Sequence, residues 1–336
     1  MLPEHAYFQF TPDLRICRLL NGMWQVSGAH GQINPVDALH SMVEHHDAGF
    51  TTWDLADHYG PAEDFIGSFR RHLLETRGAD ALQVSAAFTK WVPRPMPMTR
   101  QLVQNAVDVS RRRMGVETLD LLQFHWWEYS DSSYLDALDH LAELQAHGAI
   151  RHLALTNFDT EHLRIIVKRG IKIVSNQVQF SLIDQRPLME MIPFCHQHGI
   201  TLLAYGTFGG GLLSESYLNQ PEPTYLPTAS LRKYKQMIDL WGGWALFQEL
   251  LSALRSAAVK HGVSIPAIAA RWVLDQPAVA GVIVGVRLGV SQHRADNARA
   301  FAIALDDADR AALDSVTRKG RDLMRLVGDC GSEYRR

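Results

Sequence analysis

Cysteine is scarce in this sequence of 336 residues. The three cysteines, Cys17, Cys195 and Cys330, are too few and too odd in number for a disulfide framework. Such sparse use of cysteine is typical of a reducing compartment. The opening residues, MLPEHAYFQFTPDL, have neither the basic nor the apolar stretch of a secretory signal. We therefore expect a cytoplasmic protein.

The sequence also has no marked excess of charge and no long apolar run. Lys and Arg total 33 and Asp and Glu total 36, which gives a formal charge of −3. This balance provides no basic field for nucleic acid or anionic lipid, and no run approaches the roughly 20 apolar residues that a membrane helix needs. Hydrophobic residues at 46% and charged residues at 21% exclude a mainly disordered chain. We expect one folded domain over 1–336 that binds neither nucleic acid nor membrane, and nothing in the sequence indicates an oligomeric state.

A two-part pattern recurs along the chain, in which a short apolar run precedes a stretch of helical length. The runs are apolar at odd and even positions alike, as in LDLLQF and TLLAY, which is typical of parallel strands buried on both faces. Helix signals separate them, such as Asn34 followed by Pro35 at one start and Gly49 after the end. Eight such units predict a (β/α)8 barrel, also called a TIM barrel. The predicted strands are 18–22, 51–55, 83–88, 119–124, 152–156, 173–178, 201–205 and 282–286.

Two segments depart from this alternation. Residues 206–246, after the seventh predicted strand, are rich in glycine, proline and aromatic residues, and we expect an ordered active-site loop over the barrel mouth. Residues 318–336 are a charged tail that is expected either to fold back or to fray. An open doubly wound sheet is the alternative fold. It would carry a glycine-rich first turn, and the turn MWQVSGAHGQ after Gly22 does not match that fingerprint.

Four titratable side chains follow three neighbouring predicted strands. Asp54 and Tyr59 follow the second strand, Lys90 the third and His125 the fourth. Because the carboxyl ends of barrel strands meet at one mouth, these four should lie together. We expect the Lys90 ammonium to lower the pKa of the Tyr59 phenol, Asp54 to hold Lys90, and His125 to donate a hydrogen bond to a substrate carbonyl. Such a site can protonate a carbonyl oxygen as hydride arrives at the carbon.

These four residues resemble the catalytic tetrad of the aldo/keto reductase superfamily. Asp54, Ala56 and Tyr59 match its D-x-A-x-x-Y motif, Lys90 matches its lysine after the third strand, and His125 matches the histidine of L-D-L-x-x-x-H. The resemblance implies reversible, NAD(P)H-dependent reduction of an aldehyde or ketone to an alcohol. Hydride would come from nicotinamide and the proton from Tyr59.

The likeness extends over about residues 22–297 and implies a cofactor site. The family's S-N-F motif appears as TNF at 156–158 and its N-Q-V motif at 176–178. By this resemblance Thr156, Asn157 and Gln177 bind the carboxamide, Tyr205 stacks on the nicotinamide ring, and backbone amides of 206–211 cradle the pyrophosphate. The residues expected to bind the cofactor are Gly22, Met23, Asp54, Thr156, Asn157, Gln177, Tyr205, Gly206, Phe208, Gly210, Arg287, His293, Asp296 and Asn297.

The same comparison bears on cofactor choice. Arg287 stands where the family has a basic residue facing the 2′-phosphate, and a guanidinium grips phosphate with two hydrogen bonds. Leu288 and His293 depart from the hydroxyl and arginine that are common there, so the phosphate loses a donor and a permanent cation. We expect NADP(H) to be preferred by a modest margin, with NAD(H) still usable.

Aromatic residues after several strands suggest the wall of a substrate pocket, and two other functions stay open. The residues expected to line the pocket are Trp24, His58, Trp91, Trp126 and Trp127, together with Phe208. A regulatory barrel that binds NADPH without physiological turnover is the first alternative. A metal-dependent hydrolase is the second, but the pairs His45 with His46 and His196 with His198 have poor ligand spacing on a helix, so we expect no metal.

Overall fold

The strands of this chain close into a barrel in a computed structural model that describes residues 2–28 and 31–335. Eight parallel strands pair in the order β3-β4-β5-β6-β7-β8-β9-β10, and β10 pairs with β3 to complete the circle. The prediction of a (β/α)8 barrel is confirmed. The strands are β1 Tyr7–Thr11, β2 Leu14–Cys17, β3 Leu19–Gly22, β4 Thr52–Ala56, β5 Ala86–Trp91, β6 Leu119–Phe124, β7 Ile150–Thr156, β8 Ser175–Gln179, β9 Thr201–Tyr205 and β10 Val279–Gly285.

Helices surround the barrel and begin and end where the sequence signals predict. Asn34 caps the first helix by accepting hydrogen bonds from two backbone amides, and Thr99 caps the fourth by accepting from one, that of Leu102. Gly115 then ends the fourth helix in the left-handed conformation, where a residue without a Cβ is least strained. The helices are α1 Pro35–Asp47, α2 Ala62–Arg77, α3 Asp80–Gln83, α4 Arg100–Met114, α5 Ser133–Ala146, α6 Thr160–Lys168, α7 Met191–His198, α8 Ala229–Trp241, α9 Gly243–His261, α10 Ile265–Leu274, α11 Arg294–Ala298, α12 Asp307–Thr317 and α13 Leu323–Val327.

The strand register brings the polar strand ends to one mouth. Ala56 of β4 lies opposite Lys90 of β5, so Asp54 and Lys90 are only two residues apart along neighbouring strands. Across the barrel, Thr156 of β7 lies opposite Gln177 of β8. All of these positions are near the carboxyl ends of their strands, where a parallel barrel places its site.

The other end of the barrel is closed by a hairpin that the sequence analysis did not predict. Strands β1 and β2 pair antiparallel around a short turn in which the Thr11 hydroxyl donates to the Asp13 carboxylate at 2.7 Å. Apolar side chains of the hairpin pack against inward-facing apolar side chains of the barrel. This floor is formed by Phe10, Leu14, Ile16, Leu20, Ala86, Phe88, Leu121, Ala154, Leu203 and Ala280.

The two segments that depart from the alternation are both ordered. Residues 206–246 are only partly a loop. They contain α8, which Thr228 caps, and the start of α9 at Gly243. Of the tail 318–336, residues 318–335 are described; they include α13 and then turn back over the mouth, so the tail folds back rather than fraying. Arg336 lies outside the described residues.

Within residues 2–28 and 31–335, no helix is long and apolar enough to cross a membrane. No group of three or more His, Cys, Asp and Glu side chains there could hold a metal ion.

The contact between α2 and α4 depends on the absence of a side chain at Gly67. A Cβ added there would lie 2.2 Å from the carbonyl oxygen of Arg113 on α4. We expect Gly67→Ala to lower the free energy of unfolding by about 1–3 kcal/mol, because overpacking against backbone outweighs the better helix propensity of alanine. Urea unfolding measures the change, with Glu75→Ala on the exposed face of α2 as the control. A Gly67→Ala protein more stable than the wild type would contradict this packing.

Candidate active site

A buried ion pair lies at the centre of the mouth. The Lys90 ammonium donates to Asp54 Oδ2 at 2.7 Å, and the side chains of Lys90 and Asp54 are only 6% and 4% exposed. The other carboxylate oxygen, Asp54 Oδ1, accepts from the amide groups of Gln123 at 2.9 Å and Gln177 at 2.7 Å. Three donors therefore hold the carboxylate, which is the arrangement that a buried charge requires.

Gln123 is a site residue that the sequence analysis missed. It lies on β6 with no solvent exposure, and it links Asp54 and Gln177, since Gln177 also donates to its side-chain oxygen at 2.7 Å. A glutamine inside the apolar run LDLLQF was the available signal, because a buried amide must find partners.

Tyr59 lies in the turn after β4, half-buried among aromatic neighbours. The Lys90 ammonium is 5.4 Å from the centre of its ring. The rings of Trp24 and His58 pack edge-on against it, with centroids at 5.1 Å and 4.8 Å. Three of the four predicted catalytic residues, Asp54, Tyr59 and Lys90, are thus brought together.

The expected lowering of the Tyr59 pKa is wrong in direction. Burial, followed by the charge of the Asp54 carboxylate, raises the pKa of Tyr59 well above its ordinary value. Burial disfavours the charged phenolate, and the neighbouring Tyr334 and Asp57 act in the same direction. Burial lowers the pKa of Lys90 itself, and the Asp54 carboxylate opposes that effect. Tyr59 consequently retains its proton at neutral pH.

His125 joins the site after β6, but its role differs from the expectation. Its Nδ1 lies 3.1 Å from the carbonyl oxygen of Thr156. A carbonyl oxygen can only accept, so Nδ1 carries the proton. Burial lowers the pKa of His125 to about 4, which keeps the ring neutral and leaves Nε2 as an acceptor. The prediction that His125 donates to a substrate carbonyl is therefore wrong for this tautomer.

The residues expected to hold the nicotinamide lie around the carboxyl ends of β7, β8 and β9. Asn157 has a φ of 59°, a left-handed conformation that asparagine tolerates better than most residues. Its side-chain oxygen accepts from the Tyr205 hydroxyl at 2.9 Å. Thr156 is buried, and its hydroxyl donates to the backbone oxygen of Gln177 at 3.3 Å. The polar groups assigned to the carboxamide thus lie within one small region.

The glycine run after β9 has the backbone of an anion cradle. Gly206, Gly209, Gly210 and Gly211 all have positive φ, from 56° to 105°. Successive amides in such conformations form concave sites for phosphate. The donor set and this backbone fit a dinucleotide, although the Tyr234 ring of α8 now lies where a Cβ on Gly206 or Gly210 would be, at 2.7 Å and 2.8 Å. Phe208, in the same turn, is half-buried against the core.

The segment after β10 contains the residues expected at the adenosine end. Asp296 on α11 accepts from the Ser264 hydroxyl at 2.7 Å, and the backbone amide of Asn297 donates to the carbonyl of His293 at 2.8 Å. Arg287 lies two residues after the end of β10 at Gly285. Leu288 is buried.

At the start of the barrel, Gly22 ends β3 and Met23 is fully buried beside it. A Cβ on Gly22 would lie 2.7 Å from the Ile283 side chain of β10, so this glycine permits the two strands to pair. Glycine at position 22 therefore has a structural role in strand pairing.

Two of the five residues expected to line the substrate pocket belong to the core instead. Trp126 has no exposed surface, and its indole N–H donates to the backbone oxygens of Glu128 and Asp131. Trp91 is 7% exposed and packs on Phe124. The prediction is wrong for Trp126 and leaves Trp91 little surface to offer. A tryptophan after a buried strand can point outward into the helix layer as readily as into the mouth.

The other three aromatic residues remain at the mouth. Trp127 is 39% exposed and packs edge-on against His125 at 4.5 Å. Trp24 and His58 flank Tyr59 as described above. Together these rings form a partly open aromatic wall around the polar centre.

The tail supplies a second set of residues that the sequence analysis missed. Glu333 accepts from the Tyr205 hydroxyl at 3.2 Å, and the ring of Tyr334 lies 6.2 Å from that of His125. Lys233 of α8 donates to the hydroxyl of Tyr334. Nothing in the local sequence places a chain segment some 130 residues distant against Tyr205.

Comparison with known proteins now identifies the family. A family model described as the Aldo/keto reductase family matches residues 18–318. The chain belongs to the aldo/keto reductase family. This aldo/keto reductase is 22% identical to the NADH-specific methylglyoxal reductase of Escherichia coli over 327 residues, which cover 90% of this chain and 95% of that protein. It is 26% identical to the chloroplastic pyridoxal reductase of Arabidopsis thaliana, covering 81% of this chain and 74% of that one.

One relative is much longer than the shared region. Flagellar radial spoke protein 5 of Chlamydomonas reinhardtii is 27% identical over 257 residues, which are 66% of this chain but 49% of that protein. Among solved structures, the glycerol dehydrogenase of Gluconobacter oxydans superposes with a TM-score of 0.74 at 24% identity, covering 97% of this chain and 98% of the other. A thermostable aldo-keto reductase in complex with the inhibitor epalrestat gives 0.70 at 22% identity, covering 92% and 99%. These likenesses show the shared fold.

The Asp54–Lys90 pair generates a stability prediction. Lys90→Met leaves the carboxylate buried without its cation, and we expect a loss of about 3–5 kcal/mol in the free energy of unfolding. Adding Asp54→Asn should recover most of that loss, because a neutral amide oxygen still accepts from Gln123 and Gln177. Chemical denaturation of the Lys90→Met protein and of the double variant measures both changes in the free energy of unfolding.

The matched control is Arg169→Met, which removes a solvent-exposed pair with Asp139. Such a surface pair is worth less than about 1 kcal/mol. A Lys90→Met protein that loses no more stability than the Arg169→Met protein would show that the buried pair is not coupled as the geometry requires.

Proposed function

We propose that this aldo/keto reductase catalyses the reversible, NAD(P)H-dependent reduction of an aldehyde or ketone to an alcohol. The observation that carries the proposal is the phenol of Tyr59, whose ring centre lies 5.4 Å from the Lys90 ammonium of a buried Asp54–Lys90 pair. A phenol that keeps its proton is suited to donate it when a carbonyl oxygen acquires negative charge. Family membership and the oxidoreductases among its relatives support the same conclusion.

The cofactor would be held by the residues around β7, β8 and β9. Asn157 and Gln177 offer amides to a carboxamide, the face of the Tyr205 ring offers a stacking surface, and the glycines of 206–211 offer backbone N–H groups to a pyrophosphate. When bound, the nicotinamide ring supplies or accepts the hydride.

The proton steps follow from the chain's own groups. In reduction, Tyr59 Oη donates to the carbonyl oxygen, and the nearby Lys90 ammonium stabilises the phenolate that results. Asp54 keeps Lys90 charged and fixed in place. His125 Nε2 is an acceptor, so it orients the alcohol by accepting from its hydroxyl, a role that matters most in the oxidation direction. No described group besides Tyr59 is needed as the acid.

The exposed parts of Trp24, His58 and Trp127 suit a planar or apolar carbonyl compound, and a sugar ring can stack on the same surfaces. The three cysteines are free and buried. The reducing, cytoplasmic setting stays a prediction from their small number in the sequence.

Removal of the proton donor tests this mechanism. Tyr59→Phe keeps the ring and its packing, and we expect kcat for carbonyl reduction to fall by about 10²–10⁴-fold with cofactor affinity nearly unchanged. Steady-state kinetics on a panel of aldehydes and ketones with NADPH and NADH, run beside a cofactor titration, provide both numbers. Tyr225→Phe, at a ring that is 79% exposed, is the control.

Two results would contradict this assignment. Wild-type kcat in the Tyr59→Phe enzyme, measured where chemistry limits the rate, would remove Tyr59 from the proton step. Tight cofactor binding by the wild type without turnover on any member of the panel would favour the regulatory barrel.

Cofactor choice provides the second test. We propose that NADPH is preferred by a modest margin, because the Arg287 guanidinium can meet the 2′-phosphate. A charge-assisted hydrogen bond of ~1.5–3 kcal/mol corresponds to roughly 10–100-fold in affinity. Arg287→Ala should therefore weaken NADPH by that factor and leave NADH almost unaffected. Dissociation constants for both cofactors decide the question, with the exposed Arg318→Ala as the control. Equal losses for NADPH and NADH would show that Arg287 does not contact the 2′-phosphate.

A further inference from the structure

The end of the described chain, residues 328–335, forms a strap across the barrel mouth. Its base is fixed by Arg186, whose buried guanidinium donates to the carbonyl oxygens of Gly328 and Asp329, both at 3.1 Å. The same guanidinium makes two bonds to Asp184, at 2.8 Å and 2.7 Å. Asp329 also accepts from the backbone amide of Thr160 at the start of α6 at 2.6 Å. The base of the strap is therefore part of the folded body.

Beyond its base, the strap lies on the residues assigned to the nicotinamide. Gly331 has a φ of 87°, and a Cβ there would be 2.1 Å from the carbonyl oxygen of Asn157. Glu333 lies between Arg186, 3.0 Å away, and the Tyr205 hydroxyl, which donates to it at 3.2 Å. The strap thus contacts both Asn157 and Tyr205.

Tyr334 extends from the strap into the space between Tyr205 and His125. Its hydroxyl is 3.3 Å from the Tyr205 hydroxyl, and its ring is nearly perpendicular to His125, at 82°, with centroids 6.2 Å apart. In contrast with the charged and buried base, Tyr334 is half-buried and carries no charge. Its hydroxyl is the group through which its neighbours hold it.

The partner of Tyr334 on α8 is Lys233. The ammonium donates to the Tyr334 hydroxyl and lies 4.2 Å from the centre of its ring. The next residue of α8, Tyr234, covers Gly206 and Gly210. The Lys233–Tyr334 contact therefore joins the strap, which lies on the residues assigned to the nicotinamide, to α8, which covers the glycine run 206–211. We term this contact the latch.

We propose that the latch is an autoinhibitory contact that competes with the dinucleotide cofactor, an inference that rests on the proposed function. Hydride transfer requires a nicotinamide on Tyr205 and a carbonyl beside Tyr59 and His125 to be in contact. The Tyr334 ring lies in that gap, so the latched state and the reacting state exclude each other. A cofactor then binds only the unlatched fraction, and its apparent affinity falls in proportion.

The charges favour opening when the cofactor arrives. In the latched state Lys233 is paired with a neutral hydroxyl, whereas a pyrophosphate at the neighbouring glycine run carries negative charge. Exchanging the hydroxyl for an anion is favourable for the ammonium, because a charge-assisted hydrogen bond is roughly twice as strong as a neutral one.

The experiment measures cofactor binding and strap exposure in the full-length chain. Tyr334→Ala removes the ring, and Tyr334→Phe removes only the hydroxyl that Lys233 holds. We expect Tyr334→Ala to tighten the Kd for NADPH and for NADH by about tenfold, mainly through a faster association rate, and Tyr334→Phe to change both in the same direction by less. Stopped-flow fluorescence gives the rates, with Tyr225→Ala as the control. In the wild type, saturating NADPH should speed amide hydrogen exchange in residues 330–335.

The outcomes are separable. Either of two results overturns the proposal. In the first, both cofactors bind the wild type and Tyr334→Ala equally well, so the latch does not compete with them. In the second, Tyr334→Ala binds them more weakly and NADPH slows exchange in the strap, which shows that the strap closes over the cofactor. If neither the wild type nor Tyr334→Ala binds either cofactor, the proposed function itself fails, and the competition fails with it.

Discussion

The Asp54–Lys90 ion pair is the constraint around which this site is built. Removing two charges from water is costly, and the cost is met only when each remaining lone pair and proton finds a partner. For the carboxylate, the chain meets it with the side chains of two glutamines, Gln123 on β6 and Gln177 on β8. The register of β4 with β5 must then not slip by even one residue, because a one-residue shift would turn Lys90 away from the carboxylate.

Burial explains why a phenol so close to an ammonium keeps its proton, because it disfavours the charged phenolate, and the Asp54 carboxylate adds to that effect. In the proposed function, Tyr59 is the acid, and the lysine acts after the proton has left. The neutral His125 fits the same logic, since a second cation near Lys90 would be as costly as an unpaired carboxylate.

Much of the fold and of the tetrad was readable from the sequence, for identifiable reasons. Strands buried on both faces, helix caps such as Asn34 and Thr99, and polar residues at successive strand ends are local signals, and the barrel follows from repeating them. The direction of the Tyr59 pKa was not readable, because it depends on how completely Asp54 occupies Lys90. The tautomer of His125 depends on a carbonyl of the next strand, and the orientation of Trp126 depends on the turn after β6, where its indole N–H meets the backbone oxygens of Glu128 and Asp131. The position of the strap depends on a buried arginine, Arg186, whose partners in the strap lie far away in sequence.

The hairpin at the far end of the barrel has a consequence for the traffic of protons. Its apolar side chains pack with those of the inner strand ends into an apolar floor. The polar side chains of the mouth are thus separated from solvent at the other end of the barrel by this floor. In the proposed function, a proton that Tyr59 donates is therefore replaced through the same opening that substrate and product use.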